Sequence, residues 1–177
     1  MVEAQENNPV IPRTQRKQVN ILIIGDHLVG KSSLVNAFCK PRNKDPIENT
    51  IGIDYQLKEY RNLLLNIYDC SGCPEYKSIR ESFYVDIDLV LVVFDVTNIV
   101  SFENTQMWIE EFCKVSQKQC EIVVVGNKTD CIGKRKVTET EACIWTAMKD
   151  MEYYEVSAVS SIGIRNMFES IIEKFAG

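Results

Sequence analysis

The feature that most constrains the fold of this chain is a glycine-rich segment between an apolar run and a helix-like segment. It reads Gly25-Asp26-His27-Leu28-Val29-Gly30-Lys31-Ser32 and matches the pattern G-x-x-x-x-G-K-[ST]. Glycines let the backbone wrap around a phosphate, and the start of the following helix adds positive potential. The lysine then reaches the β- and γ-phosphates, and the serine can ligate Mg²⁺. This phosphate loop (residues 25–32) predicts a nucleotide site; a glycine turn without a ligand is the alternative.

Short apolar runs at 19–24, 63–68, 89–94 and 122–125 predict strands. Three of these runs are rich in Val and Ile and nearly continuous, which is typical of strands buried on both faces of a parallel sheet. Helical patterns lie between them, and the alternation predicts a doubly wound α/β fold. We expect six mostly parallel strands with helices on both faces. Residues 53–69 leave no room for a helix, so we expect an antiparallel hairpin at the sheet edge.

Three helical segments carry recognisable signals. Ser101 is a candidate N-cap for one helix, and Thr138 with Glu141 has the spacing of a capping box before another. The last helix has an apolar stripe. The stripe consists of Ile164, Met167, Phe168, Ile171, Ile172 and Phe175.

Length and charge limit the possible classes of protein. A chain of 177 residues fits one domain, which we place at 19–177 after a flexible tail at 1–18. No apolar run approaches the ~18 residues of a membrane span. The net charge of −5 disfavours nucleic acid as a broad-surface partner. A basic cluster in the tail (Arg13, Arg16 and Lys17) is either solvated or a weak contact for lipid or a partner.

The seven cysteines are odd in number and no signal peptide precedes them, so we expect free, mostly buried thiols in a reducing compartment. Cys39, Cys113 and Cys143 lie inside apolar runs and are the candidates for burial. Neither a myristoylation glycine nor a C-terminal prenylation cysteine is present, so the chain is either unlipidated or trimmed. We expect a cytoplasmic monomer that reaches membranes only through partners.

Two further motifs follow predicted strands. Asp69-Cys70-Ser71-Gly72 places a carboxylate at a strand end, where it can hold Mg²⁺ directly or through water. Asn127-Lys128-Thr129-Asp130 follows the strand at 122–125, and strand C-termini are where α/β sheets bind ligands. A carboxylate there accepts two N–H bonds from guanine, a pair that adenine does not offer. This element therefore predicts selection of the base.

Together these motifs resemble the Ras superfamily of small GTPases over about residues 19–177. The resemblance is greatest to the Rab branch, through Thr50-Ile51-Gly52-Ile53-Asp54-Tyr55 and Val93-Phe94-Asp95-Val96-Thr97 before Ser101-Phe102. Gly72-Cys73-Pro74, Cys131 and the segment 144–154 are similar to the Rab/Ras-like (RJL) group, some members of which carry an additional J domain.

The resemblance implies a site for GTP or GDP with Mg²⁺. It assigns nucleotide contacts to Gly25, Asp26, His27, Leu28, Val29, Gly30, Lys31, Ser32, Ser33, Thr50, Gly72, Asn127, Lys128, Asp130, Ser157, Ala158 and Val159. It assigns Mg²⁺ to Ser32, Thr50 and Asp69, with Thr50 engaged only in the triphosphate state. Lys31, Gly72 and Cys73 occupy the catalytic positions.

The family also implies two switches, near 42–52 and 70–84, which the γ-phosphate orders and which hydrolysis releases. Effectors, an exchange factor and an activating protein are the partners expected there. Tyr55, Tyr68 and Tyr84 fall where Rabs carry an aromatic triad that contacts effectors; plain packing is the alternative.

Several departures from the family pattern predict altered chemistry. Cys73 replaces the glutamine that orients the attacking water, and Pro74 stiffens the segment that follows. His27 replaces a glycine in the phosphate loop. A side chain at that position obstructs the arginine finger that an activating protein inserts. We therefore expect hydrolysis slower than the ~10⁻⁴–10⁻³ s⁻¹ of Ras. A hydrolysis-deficient module that presents a fixed surface to a partner is the alternative function.

Two further departures concern affinity and thiol chemistry. Asn43 replaces a base-stacking aromatic and Val159 replaces a lysine, so we expect binding weaker by about ten- to hundredfold. Cys70 and Cys73 form a C-x-x-C pair that should lie near His27, the only histidine. A redox or metal role for this pair competes with coincidence.

Overall fold

A mixed sheet of six strands organises residues 16–40 and 49–176, the part of the chain that our computed structural model describes. The strands are β1 (Lys17–Ile24), β2 (Ile53–Tyr60), β3 (Leu63–Cys70), β4 (Leu89–Asp95), β5 (Glu121–Asn127) and β6 (Glu152–Glu155). They lie in the order β2-β3-β1-β4-β5-β6. All neighbouring pairs are parallel except β2 with β3. The predicted doubly wound sheet with one antiparallel edge strand is confirmed.

The edge hairpin turns at Arg61-Asn62, as its sequence predicts. Tyr60 pairs with Leu63 across the turn, and Arg61 adopts a left-handed φ of 51°. Beyond the far end of the hairpin, the N–H of Ser71 donates to the carbonyl of Gly52 at 2.8 Å. This bond holds the segment before β2 beside the C-terminal end of β3, where the site lies.

Six helices lie between and after the strands of the described chain. They are α1 (Lys31–Cys39), α2 (Lys77–Glu81), α3 (Ile99–Glu103), α4 (Thr105–Val115), α5 (Glu139–Ala147) and α6 (Ile164–Glu173). Short 3₁₀ turns span Pro74–Tyr76 and Ile132–Lys134.

One predicted helix cap is confirmed and another is wrong. The Thr138 hydroxyl accepts from the N–H of Glu141 at 3.1 Å at the start of α5. Ser101 is not an N-cap, because the Asn98 side chain accepts from Val100 N at 3.1 Å and starts α3 earlier. Ser101 lies buried inside α3, where its hydroxyl accepts from the N–H of Asp95 and so ties the helix to β4.

The sheet buries both of its faces, which explains the continuous apolar runs. Alternate β1 residues such as Ile21 and Ile23 pack with α1 and α6, where Phe38 stacks on Phe168 with ring centroids 3.8 Å apart. The intervening residues, such as Leu22, pack with α4 on the opposite face. The predicted apolar stripe of α6 is confirmed, since all five of its members within the helix are buried. Phe175 is partly buried just beyond the helix end.

The prediction that the cysteines are mostly buried is wrong. All seven are free thiols, but Cys113 and Cys143 are exposed and Cys39 is only half-buried. Cys113 on α4 and Cys143 on α5 lie on the solvent-facing sides of their helices, whereas Cys39, the last residue of α1, packs partly against the core. Cys70, within β3, is the buried one.

The first strand begins slightly earlier than the sequence pattern predicts. β1 begins at Lys17, two residues before the predicted strand, and residues 1–15, including Arg13, lie outside the described residues. Within residues 16–40 and 49–176, no helix has the length and apolar character needed to cross a bilayer.

Candidate functional site

The phosphate loop joins the C-terminal end of β1 to the N-terminus of α1, as its motif predicts. Gly30 is the residue before the helix and has a φ of 95°, in the region that favours glycine. A Cβ at Gly30 would collide with the side-chain nitrogen of Asn127. Glycine at this position therefore allows β5 to approach the loop.

Lys31 is folded over this loop. The residue is 6% exposed, and its ammonium group donates to the carbonyls of Gly25 and Asp26 at 2.9 and 2.7 Å. Burial lowers the pKa of Lys31, while the carboxylate of Asp69 opposes that shift. The lysine thus places a positive charge beside the position at which the motif predicts a phosphate.

Three oxygen-bearing side chains meet beside Lys31. The hydroxyls of Ser32 and Thr50 lie 2.8 Å apart, and Thr50 donates to one Asp69 carboxylate oxygen at 3.3 Å. The other Asp69 oxygen, Oδ1, is buried and has no hydrogen-bond partner among the described residues. Burial raises the pKa of Asp69, and hydrogen bonds from Ser32 and Thr50 oppose the shift. This set of hard oxygen donors around an unsatisfied carboxylate fits Mg²⁺.

The Asn127 side chain bridges three segments. Its Nδ2 donates to the carbonyl of Val29 at 2.8 Å, and its Oδ1 accepts from the N–H of Ala158 at 3.1 Å. The ammonium of Lys128 donates to Leu28 O at 2.7 Å and pairs with Asp95 at 2.7 Å. The two residues therefore fasten the loop after β5 to the phosphate loop.

Asp130 points outward from this fastened unit. The hydroxyl of Ser157 donates to its Oδ1 at 2.6 Å, and this bond is the main reason that the pKa of Asp130 is lowered. The carboxylate is exposed and ionised, so it is available to accept hydrogen bonds from a ligand.

Gly72 and Cys73 close the site from the opposite side. A Cβ at Gly72 would lie 2.6 Å from the carbonyl oxygen of Gly25 and still closer to the backbone of Asp26 and His27. Only glycine permits this approach. The Cys73 thiol lies 3.6 Å from Nδ1 of His27, so the predicted proximity of these two residues is confirmed.

The second thiol of the C-x-x-C pair is in a different environment. Cys70 is fully buried, and burial raises the pKa of its thiol to about 12. Within the described chain, no group of three or more His, Cys, Asp or Glu side chains could hold a metal ion. This geometry gives the redox or metal hypothesis for Cys70 and Cys73 no support.

The structure brings most of the predicted site residues to one end of the sheet. A single cleft is lined by residues that include His27, Leu28, Lys31, Ser32, Ser33, Thr50 and Gly72. Val159 is 84% exposed and supplies only an apolar side chain at the edge. Asn43 and residues 42–48 of the first predicted switch lie outside the described residues.

The predicted aromatic triad needs one correction. Tyr55 and Tyr68 are in contact at the surface with ring centroids 5.5 Å apart. Tyr84 is fully buried and packs on Phe112, whereas Phe83 contacts Tyr68 at 5.7 Å. The packing alternative therefore holds for Tyr84, and Phe83 completes the surface cluster.

Sequence reasoning missed a set of supporting residues on α2 and α4. The indole of Trp108 donates to Asp26 Oδ1 at 2.7 Å, and Arg80 forms a two-point ion pair with Glu111. The spacing of Asn104, Trp108 and Glu111 on one helical face was the available signal.

The phosphate loop, the oxygen cluster and the outward carboxylate at the C-terminal strand ends define a P-loop protein of the α/β class. The family model described as "Ras family" matches residues 20–176, and the chain belongs to that family. It is a Rab-like member of the Ras superfamily of small GTPases, which confirms the resemblance noted in its sequence.

Relatives match over most of the chain. The chain is 34% identical to "Ras-related protein Rab-7a" of Paramecium octaurelia and 33% identical to "Ras-related protein Rab7" of Pisum sativum. These alignments cover 92% and 91% of the chain and 84% of each relative. It is also 33% identical to "DnaJ homolog subfamily C member 27-B" of Xenopus laevis, over 86% of the chain and 60% of that protein.

Proposed function

We propose that this chain is a guanine-nucleotide-binding switch that holds GTP or GDP with Mg²⁺ and hydrolyses GTP slowly. The observation that carries the proposal is the convergence of Lys31, the Ser32–Thr50–Asp69 oxygen cluster and Asp130 at one end of the sheet. These groups complement phosphate, a hard cation and a base with adjacent N–H donors. No other part of the described chain combines these three chemistries.

Base selection rests on Asp130 in this proposal. Its carboxylate would accept two N–H bonds from guanine, and Ser157 holds the carboxylate in place through Oδ1. Asn127 and Lys128 fix the distance between this carboxylate and the phosphate loop. The N–H of Ala158 would face the guanine carbonyl.

Phosphate binding rests on the loop backbone and Lys31. The ammonium of Lys31 would move its hydrogen bonds from loop carbonyls to phosphate oxygens, and the N–H of Gly72 would reach the γ-phosphate. Bound Mg²⁺ would neutralise phosphate charge. Ser32, Thr50 and Asp69 would hold it, with Thr50 adding its ligand in the triphosphate state.

Slow hydrolysis follows from the pair that faces the γ-phosphate position. A thiol is a poor hydrogen-bond donor and acceptor, so Cys73 cannot orient an attacking water as a carboxamide does. Cys73 and His27 also contact one another across the approach to the loop. An activating protein that inserts an arginine would have to displace the imidazole.

The switch would act on protein partners. The two switch segments, near 42–52 and 70–84, would together form the surface that effectors contact, and that combined surface would differ between the GTP and GDP forms. The Tyr55–Tyr68–Phe83 surface cluster lies beside them and supplies apolar contact area. An exchange factor and an activating protein would set the lifetime of each state, and partners would provide any recruitment to membranes.

A hydrolysis-deficient interaction module is the second candidate function. Cys73 and its contact with His27 favour it, because a thiol is a poor hydrogen-bond partner for an attacking water. Bound nucleotide would then stabilise a single partner-binding surface, and hydrolysis would not switch that surface between two states.

Chromatography of the nucleotide released from freshly purified protein tests the proposal. The protein is then loaded with GTP and Mg²⁺ and sampled in a single turnover. GDP that appears over hours supports the slow switch, and GTP that survives unchanged supports the interaction module. A protein that neither retains nor rebinds guanine nucleotide refutes both.

A further inference from the structure

One face of α4 contacts both sides of the candidate site. Asn104, at the start of this helix, donates from Nδ2 to Asp26 Oδ2 at 2.8 Å. Trp108, one turn further on, donates to the other oxygen of the same carboxylate at 2.7 Å. The phosphate loop is therefore anchored to α4 through both oxygens of a single side chain.

The next turn of the same face holds the segment on the opposite side of the site. Arg80 of α2 donates from Nε and Nη2 to the two carboxylate oxygens of Glu111 at 2.8 and 2.9 Å. The hydroxyl of Tyr84 also donates to Glu111, at 2.8 Å. Arg80 is only 3% exposed, so this is a buried, two-point ion pair.

Arg80 also connects the two anchors. Its Nη1 donates to the carbonyl of Cys73 at 2.9 Å, and its guanidinium carbon lies 4.6 Å from the centroid of the Trp108 ring. Arg80 thus holds the backbone of Cys73, the residue at the catalytic glutamine position. It also covers the indole of Trp108, which anchors the phosphate loop.

We propose that Arg80 and Trp108 are positioning residues that keep residues 73–84 docked on α4 whichever nucleotide is bound. The proposal rests on nucleotide binding at the proposed site. In a switch whose second segment is ordered by the γ-phosphate alone, loss of that phosphate releases the segment. Release here would pull Tyr84 out of its buried packing on Phe112 and would uncover Trp108, and this loss of buried aromatic surface disfavours the open form.

The proposal predicts that nucleotide state is read mainly on the Thr50 side of the site. Thr50 reaches the cluster only through hydroxyl contacts to Ser32 and Asp69, which a bound cation would replace. Residues 73–84 have an anchor of their own. A partner that recognises the segment 73–84 would therefore bind the GDP and GTP forms with similar affinity.

Hydrogen exchange measured by mass spectrometry on the whole chain tests this. The protein is compared in nucleotide-free form, with GDP and Mg²⁺, and with a non-hydrolysable GTP analogue and Mg²⁺. In the wild type we expect the amides of 77–84 to exchange at rates within about threefold in the two nucleotide states. A difference of tenfold or more in the wild type would overturn the proposal.

Arg80→Lys retains the charge but loses the two-point geometry and the flat stack on Trp108. We expect exchange at 77–84 to rise about tenfold with GDP and to fall again with the GTP analogue, so that state dependence appears. Arg165→Lys is the matched control, because Arg165 forms an exposed ion pair with Glu169 on α6. Equal behaviour of the two variants would also overturn the proposal.

Trp108→Phe tests the other anchor and is the milder variant should Arg80→Lys fail to fold. It keeps a ring beside Arg80 and removes the bond to Asp26. We expect GDP to dissociate about fivefold faster while the amides of 77–84 remain protected. Unchanged dissociation would remove Trp108 from the proposal. Absence of nucleotide protection at residues 25–32 would instead reject nucleotide binding, and the nucleotide-free samples would still test the Arg80 anchor.

Discussion

Replacing Asp130 by alanine should abolish the preference for guanine while leaving the fold intact. The carboxylate is exposed, and its side-chain partners in the described chain are the Ser157 hydroxyl and the neighbouring Cys131 thiol, so its removal leaves no buried charge. Two hydrogen bonds to an ionised acceptor contribute about 1.5–3 kcal/mol each, and exposure places this pair near the lower limit. We therefore expect a loss of about 3 kcal/mol, or roughly a hundredfold in the dissociation constant of GDP.

The assay is a double comparison of two proteins with two ligands. GDP and inosine diphosphate differ only in the exocyclic amine that would donate one of the two bonds. Wild type should prefer GDP by about tenfold, and Asp130→Ala should bind both ligands equally in calorimetric titrations. Glu103→Ala, at another exposed carboxylate, is the control and should behave as wild type. An alanine variant that still prefers GDP would refute the assignment of base recognition to Asp130.

Three other predictions concern catalysis, packing and pH. Cys73→Gln should accelerate single-turnover GTP hydrolysis at least about tenfold, since a carboxamide both donates to and accepts from water; an unchanged rate would show that Cys73 does not limit the reaction. Phe168→Ala should lower the free energy of unfolding by about 3–5 kcal/mol in chemical denaturation, because it removes the ring stacked on Phe38 and leaves a cavity. Phe168→Leu or Phe168→Ile should lower it by less. Burial raises the pKa of Glu111, but hydrogen bonds from Arg80 and Tyr84 outweigh it, so the folded pKa lies below 4.5. The stabilisation is present above that value and is lost as pH falls through the folded pKa, so Glu111→Gln should flatten the decline in stability that acidification below that value causes.

The features that the sequence predicted correctly are those that depend on residues close together in the chain. The phosphate loop, the edge hairpin and the α6 stripe each depend on residues close in sequence, whose glycines, turn residues and apolar spacing can be read directly. The order of motifs along strand ends then placed the site, because parallel strands present their C-terminal ends at one edge. The positions of the motifs after their strands were therefore sufficient to predict that Lys31, Asp69 and Asn127 lie close together.

The remaining features depend on contacts between distant residues. Trp108 reaches Asp26 across 82 positions, and an amphipathic helix pattern cannot say which buried side chain also donates a hydrogen bond. Phe83 and Tyr84 are adjacent and point to opposite sides of a short, irregular segment, so sequence alone could not choose the surface residue. Ser101 was misread because Asn98, three positions earlier, offered an equally good cap.

The two outermost strands of the sheet bear on colloidal behaviour. An exposed strand edge is a template for pairing with another chain, and aggregation often begins there. β2, at one margin, carries the charged residues Asp54, Lys58 and Glu59, and the ammonium of Lys58 is held against the Phe38 carbonyl. β6, at the other margin, is only four residues long and begins and ends with glutamate. The charged residues of β2 and the short length of β6 should therefore prevent edge-to-edge pairing and fibril formation in concentrated solutions. This holds even though the strands between them are among the most apolar in the chain.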